Sequence, residues 1–245
     1  MHGIGGASEN WSAQLAGLSD QFRVIAWDMP GYGGSDDLPD PAPDTGAYAA
    51  AALALLDFLE IERCHLVGQS VAALIAGHIA ARHPGRLLSL TLSHPLTGLG
   101  GLPDEEREQL RAARLGLFEA LGPMRFAYEK GPAILAPGVA DAVRDKAVET
   151  MARVRPDGFR QAVEMMSQSD LFADLPQIGP PVLVIGGEFD PVAPEKTCRA
   201  VAQSLKNSRL EIVSGVGHYS AMERADAVNG ILAEFFRRSP ALKWS

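Results

Sequence analysis

The sequence predicts an α/β protein: a mostly parallel central sheet flanked by helices and interrupted by a helical insertion. Three observations predict it. Short β-rich apolar runs alternate with helical patterns, as a parallel sheet covered by helices requires. The middle of the chain carries amphipathic helical spacing with no convincing strand. The composition suits a buried core, with 47% hydrophobic and 21% charged residues and a mean hydropathy of +0.01.

Taken in order, Arg23-Val24-Ile25-Ala26-Trp27-Asp28 reads as a buried strand, ended by the turn-rich Pro30-Gly31-Tyr32-Gly33-Gly34-Ser35. Residues from about Tyr48 to Leu59 read as a helix, apolar on most faces. Cys64–Val67 is the next strand, and Val71 to Arg82 the next helix, closed by the breaker pair Pro84-Gly85. Leu87 to Ser93 alternates at period two and makes a third strand. Pro181–Ile185 and Leu210–Val213 supply a fourth and a fifth, and a last helix runs from about Ala225 to Arg237. Between the third and fourth strands, Glu105 to Leu121 and Asp141 to Val154 are amphipathic, with breaks at Gly122-Pro123, Pro132, Pro137-Gly138 and Pro156-Asp157-Gly158. The expected organisation is therefore a core domain over residues 1–94 and 175–245, with a helical lid over 95–174.

Charge and composition exclude several classes of function. Lys+Arg 22 against Asp+Glu 30 leaves a net charge of −8 and a pI near 5.3, which opposes nucleic-acid binding, since phosphate needs a basic footprint. The longest strongly apolar stretch, Val71 to Ala81, is broken by His78 and falls short of the ~20 residues of a membrane span. The first residues have neither a basic start nor an apolar block, so no secretory leader is expected. Two cysteines, Cys64 and Cys198, make no disulfide scaffold; a reducing, cytoplasmic setting suits them, as buried thiols.

Three short segments carry the chemistry. Strand Cys64–Val67 runs through Gly68-Gln69-Ser70-Val71-Ala72 straight into a helix. A serine on so sharp a turn has its hydroxyl thrust clear of the backbone, and small residues two before and two after let strand and helix cross closely. Gly68 meets that demand, and Ala72 stands where glycine is usual. The helix N-terminus also leaves the Val71 N–H free to stabilise an oxyanion. Glu188-Phe189-Asp190-Pro191 lies beyond the end of the fourth strand, where open parallel sheets put ligand groups. Gly215-Val216-Gly217-His218 follows the fifth, in a loop loose enough to bring an imidazole across the sheet edge. Each segment alone is also an ordinary turn. Together they place Ser, acid and His after separate strands, in the order Ser70, Asp190, His218. A nucleophilic serine needs a neutral imidazole to take its proton, and a carboxylate to hold that imidazole's tautomer. His65, His78, His83 and His94 are expected to be bystanders.

With these motifs in place, the sequence resembles the α/β-hydrolase fold family over essentially its whole length. The resemblance rests on the elbow Gly68–Ala72, on His2-Gly3-Ile4-Gly5-Gly6 as an HG oxyanion loop, and on Asp28-Met29-Pro30-Gly31-Tyr32-Gly33-Gly34-Ser35 as a D-x-P-G-x-G-x-S turn. It rests equally on the acid loop Gly186–Asp190 and the histidine loop Gly217-His218. It implies Ser70 as nucleophile, His218 as general base then acid, Asp190 as the orienting carboxylate, and backbone N–H groups of Ile4 and Val71 as the oxyanion hole. His2 would shape its loop. It implies neither a metal nor an organic cofactor. A serine at the elbow sets the chain apart from the haloalkane dehalogenases and epoxide hydrolases of this fold, which use Asp there. The insertion matches the family's helical cap in place, and Met124, Phe126, Met165 and Met166 are its candidate pocket residues. With Gly158-Phe159 followed by Ser169-Asp170-Leu171, the cap is similar to that of the 3-oxoadipate enol-lactonase and small carboxylesterase branch.

The front departs from the pattern. In the family the HG loop follows a strand that lies between the equivalents of Arg23–Asp28 and Cys64–Val67, preceded by a two-strand hairpin. Without that strand a gap of two strand spacings, ~10 Å, is expected. Met1 would then be internal to the strand, and the natural protein would start some ~20–30 residues earlier. The expected function is a serine hydrolase of small carboxylic esters or lactones. The alternatives are a carbon–carbon bond hydrolase of vinylogous diketones with the same triad, and an inactive homologue that binds without turnover. The expected partner is that small molecule, with neither nucleic acid nor membrane; a homodimer stays open. Eight arginines between Arg107 and Arg160 leave the charge of the substrate undecided.

Overall fold

Four of the five expected strands form, and they make one parallel sheet in sequential order. The computed structural model describes residues 1–239. Its strands are β1 (Cys64–Gln69), β2 (Leu87–Ser93), β3 (Val182–Gly187) and β4 (Ser208–Val213). The register sets Val67 opposite Thr91, Leu92 opposite Val184, and Gly186 opposite Ile212. The helices are α1 (Ser12–Leu18), α2 (Thr45–Phe58), α3 (Ala72–Arg82), α4 (Asp104–Lys130), α5 (Asp141–Ala152), α6 (Pro156–Gln168), α7 (Leu171–Asp174), α8 (Glu195–Gln203), α9 (Ser220–Glu223) and α10 (Ala225–Arg238).

Side chains alternate between the two faces of the sheet at period two. Leu90, Leu92, Val182 and Val184 pack on one face with Ile75 and Ile79 of α3, Tyr48 of α2 and Val201 of α8. Leu183 and Ile185 pack on the other with Trp11, Leu18 of α1 and Leu232 of α10. Both faces are covered, which is why β3 opens as a continuous apolar run and why even the polar residues that alternate along β2, Ser89, Thr91 and Ser93, are buried. α3 is lined with small residues and buried along most of its length, so it can lie close against the strands it connects.

The expected strand Arg23–Asp28 is a correction. The segment runs outside any ladder and is half-exposed rather than buried. Val24 and Ala26 face the α10 side and Trp27 the α3 side, so the period-two pattern is real. What the segment lacks is a neighbouring backbone to pair with. Between it and β1 lies a hollow of about 390 Å³, lined by apolar groups that include Trp27, Leu55, Leu66, Ile79 and Phe236. Met1 holds one rung on that outer edge of β1: its amino group donates to Val67 O at 2.7 Å, and the Gln69 N–H donates to Met1 O at 3.1 Å.

Between β2 and β3 the chain is helical, with no strand among the described residues. α4 breaks where Gly122-Pro123 predicts it, at Gly122 with φ 67° and ψ 165°. This segment sits tightly on the core. A Cβ on Gly158 of α6 would lie 2.0 Å from Gly31 O, and Gln161 holds the backbone of Leu38 and Asp40. No helix among the described residues is long and apolar enough to cross a membrane.

Candidate active site

All four strands deliver one residue each from their carboxyl ends into a single cluster. Ser70 follows β1 directly, in the left-handed region at φ 58°. That strained conformation aims Oγ away from the sheet, and it persists because the surroundings dictate it. Gly68 is obligatory here, because a Cβ on it would lie 2.4 Å from Ala72 O and 2.7 Å from Ala76 Cβ. The methyl of Ala72, where glycine is usual, is fully buried without displacing the turn. The Ser70 N–H donates to Ser93 O at 2.9 Å, tying the elbow to the end of β2.

His218, in the loop after β4, brings Nε2 to 2.9 Å from Ser70 Oγ. Its Nδ1 lies 2.9 Å from Oδ2 of Asp190, which follows β3. Oδ1 of Asp190 accepts from the N–H groups of Val192 (2.8 Å) and Ala193 (3.0 Å), so both carboxylate oxygens are held. Burial alone would raise this carboxyl; the donors from His218 and His94 outweigh it and hold Asp190 well below the ordinary range. It is ionised at any working pH. The three side chains expected from the sequence therefore meet at hydrogen-bond distance, and Ser70 is only 3% exposed.

His94 corrects the expectation that it is a bystander. It follows β2 directly at φ 49°, is fully buried, and places Nδ1 2.7 Å from the same Asp190 Oδ2. Its Nε2 lies 2.7 Å from Ser220 Oγ. Burial lowers its pKa despite the carboxylate, so the ring is neutral: Nδ1–H donates to Asp190 and Nε2 accepts from the serine hydroxyl. One carboxylate oxygen thus takes N–H groups from two imidazoles, whose centroids are 5.5 Å apart. His94, Asp190 and His218 also have the makings of a metal-ligand set. Their distances are those of hydrogen bonds, and every ring nitrogen already has a partner. The sequence signal for His94 was available, since it too ends a strand of a parallel sheet.

Two further residues went unnoticed in the sequence. Gln69 Nε2 donates to His218 O at 3.2 Å, and its side chain packs on Gly3, joining the histidine loop to the HG loop. Glu223 of α9 accepts from the backbone N–H groups of Gly217, Tyr219 and Ala136, clamping the histidine loop to the helical segment. Glycine at 187 lets these loops converge, because a Cβ there would lie 2.3 Å from Gly217 O.

The HG loop lies against the serine: a Cβ on Gly3 would be 2.8 Å from Ser70 Cβ. His2 shapes that loop, as expected. It is buried, its Nδ1 bonds Gly3 O at 2.8 Å, and its Nε2 accepts from the Met29 N–H at 3.1 Å. Burial brings its pKa down to about 4, so it is neutral. The N–H groups of Ile4 and Val71 have no acceptor among the described residues, as an oxyanion hole requires. Among the expected pocket residues, Met165 and Met166 are buried. Phe126 packs edge-on against Phe118 and Phe159. Met124 is corrected: it is 61% exposed, just past the break at Gly122, where α4 turns its side chain outward. The hollow beside β1 is lined by none of the four strand-end residues.

Comparison with known proteins shows the family. A protein of Variovorax paradoxus (strain S110), named for carbamate hydrolysis (RutD), is 30% identical over 98% of this chain and 91% of its own length. A thermophilic esterase from Thermogutta terrifontis superposes with a TM-score of 0.88 at 26% identity, covering 97% of this chain and 88% of that one. An enol-lactonase from Burkholderia xenovorans LB400 gives 0.82 at 26% identity, over 96% and 88%. The pattern of the alpha/beta hydrolase family matches residues 1–231, and the chain belongs to that family as a hydrolase.

Proposed function

We propose that this hydrolase cleaves a small carboxylic ester or lactone through an acyl-enzyme on Ser70. The observation that carries the reading is the unbroken relay Ser70 Oγ, His218 Nε2, His218 Nδ1, Asp190 Oδ2, with both links at 2.9 Å. The neutral imidazole accepts the Ser70 proton as Oγ attacks the scissile carbonyl, and Asp190 stabilises the imidazolium that forms. The carbonyl oxygen gains negative charge beside the N–H groups of Ile4 and Val71. Collapse breaks the bond to the alkoxy oxygen, which leaves with the proton that His218 returns to it. In a lactone that oxygen stays tethered to the acyl chain. Water then attacks the ester on Ser70 with His218 again as base, releasing the acid and restoring the serine.

The relatives support the class of reaction, since one is an esterase and another an enol-lactonase. A fluorophosphonate probe tests the nucleophile. We expect labelling of the folded protein that disappears in Ser70→Ala, and a loss of about 10³-fold or more in turnover for His218→Ala. A folded protein that takes no label refutes the reading in favour of a non-catalytic homologue. A panel of p-nitrophenyl esters, lactones and a ring-fission diketone then separates ester from carbon–carbon cleavage.

A further inference from the structure

The loop that carries His218 has little shape of its own. Gly215, in the left-handed region at φ 73°, and Gly217 flank a single valine, and glycine backbone is the least restrained of all. In the structure the loop is pinned at three successive residues. The His218 N–H donates to Ile134 O at 2.7 Å, at the end of the short turn Pro132–Ile134 between α4 and α5. The N–H groups on either side of it, from Gly217 and Tyr219, donate to the carboxylate of Glu223 at 2.9 and 3.0 Å. The oxygen that takes Gly217, Oε2, also takes the Ala136 N–H at 2.8 Å. One side chain therefore joins both neighbours of the histidine to the helical segment.

Glu223 differs from an ordinary surface acid. It is half-buried, and every hydrogen bond described for its side chain comes from a main-chain N–H rather than from a cation. Bonds to an ionised carboxylate are short and strong, and three of them fix its position. The seam it spans is also closed by packing. Tyr219 clusters with Leu135 and with Ala147 of α5, and a Cβ on Gly217 would lie 2.5 Å from Ile134 O. The carbonyl of His218 accepts from Gln69 Nε2 at 3.2 Å, so the sheet side holds the same residue. The reach of the imidazole to Ser70 and Asp190, 2.9 Å to each, is thus set from the helical segment as well as from the sheet. We propose that Glu223 is a positioning residue for His218, and that through it the seating of the helical segment decides whether the relay is assembled. The proposal rests on the serine-hydrolase reading for its kinetic part alone.

Rates of fluorophosphonate labelling and of p-nitrophenyl ester hydrolysis test it. In Glu223→Gln the amide oxygen can keep the two bonds of Oε2, but the amide nitrogen then faces the Tyr219 N–H, donor against donor. Glu223→Ala loses all three bonds. A misplacement of about 1 Å lowers the rate by up to ~10²-fold, so kcat should fall about 10-fold in Glu223→Gln and up to about 100-fold in Glu223→Ala, with KM within about twofold of the wild type. Gly217→Ala, whose methyl pushes the loop off Ile134 O, should lower kcat as well. Because both changes act on one clamp, combining Glu223→Gln with Gly217→Ala should lose less than the product of the two losses. Glu129→Gln, which removes an exposed acid paired with Arg125, should change nothing. An unchanged kcat in folded Glu223→Gln, a change confined to KM, or fully multiplicative losses overturns the proposal. Proton NMR decides the clamp even if the wild type takes no label. The Nδ1–H protons of His94 and His218, both bonded to Asp190, resonate far downfield, and the one that survives in His94→Phe belongs to His218. In Glu223→Gln that proton should exchange with water faster by about tenfold or more, while the His94 proton keeps its rate. Equal exchange of the His218 proton in both proteins overturns the clamp.

Discussion

Replacing His94 by phenylalanine keeps the volume of the ring and removes both of its hydrogen bonds. Asp190 Oδ2 loses a 2.7 Å donor, and the Ser220 hydroxyl loses a 2.7 Å acceptor. A hydrogen bond to a charged group is worth ~1.5–3 kcal/mol, and a buried hydroxyl left unpaired adds ~1 kcal/mol or more. Asp190 keeps His218 and the two backbone N–H groups of Val192 and Ala193. The expected loss of stability is therefore about 2–4 kcal/mol, read from urea unfolding. With one donor fewer, Oδ2 keeps Nδ1 of His218 as its one side-chain partner among the described residues. The link from Asp190 through His218 to Ser70 stays whole, so fluorophosphonate labelling of Ser70 should persist. Adding Ser220→Ala removes the orphaned hydroxyl and should recover part of the stability. A stability loss under ~1 kcal/mol refutes the view that His94 and His218 share one carboxylate oxygen.

Two other outcomes follow from single distances and one buried ring. Gly68→Val forces carbon into a place where a Cβ would lie 2.4 Å from Ala72 O, so we expect ~1–3 kcal/mol or more of destabilisation and loss of fluorophosphonate labelling; normal labelling would contradict the elbow geometry. His2 is neutral in the fold, its pKa brought by burial to about 4 from 6.5. Between those values the unfolded chain binds a proton that the folded chain does not. The stability that neutral His2 contributes is complete above pH 6.5 and declines by ~1.4 kcal/mol per unit below it, about 2 kcal/mol at pH 5. His2→Gln should shrink the difference in unfolding free energy between pH 7 and pH 5 by about that amount, and an identical difference would show that His2 does not carry the acid sensitivity.

The elbow, the acid loop and the histidine loop were legible because each is decided by a few neighbouring residues. Gly68 admits Ala72 and Ala76, Ser70 sits where strand meets helix, and Asp190 and His218 follow apolar runs short enough to be strands. Parallel strands in one register bring their carboxyl ends together, so chain order alone predicts that these residues meet. His94 ends β2 in the same way, but a histidine's role depends on what surrounds it. The carboxylate and hydroxyl that define it come from 96 and 126 residues away.

Residues 23–28 show the other limit of sequence reading. Their period-two pattern states which side chains face which layer, and the structure keeps that alternation. Whether such a segment joins a sheet depends on a neighbouring backbone, because N–H and C=O groups pair only with what lies beside them. The hollow beside β1 leaves this one without a neighbour. Arg114 follows the same logic. Eight arginines look alike in sequence, and only the packing of α4, α6 and the core shows which seven find acids and which one, Arg114, meets the Met166 sulfur instead among the described residues. The sequence by itself determined the family, the elbow and the order of the relay, since these rest on local backbone geometry. The tertiary structure alone decided which polar groups are shared, orphaned or unpaired, since that is a property of contacts between segments far apart in the chain.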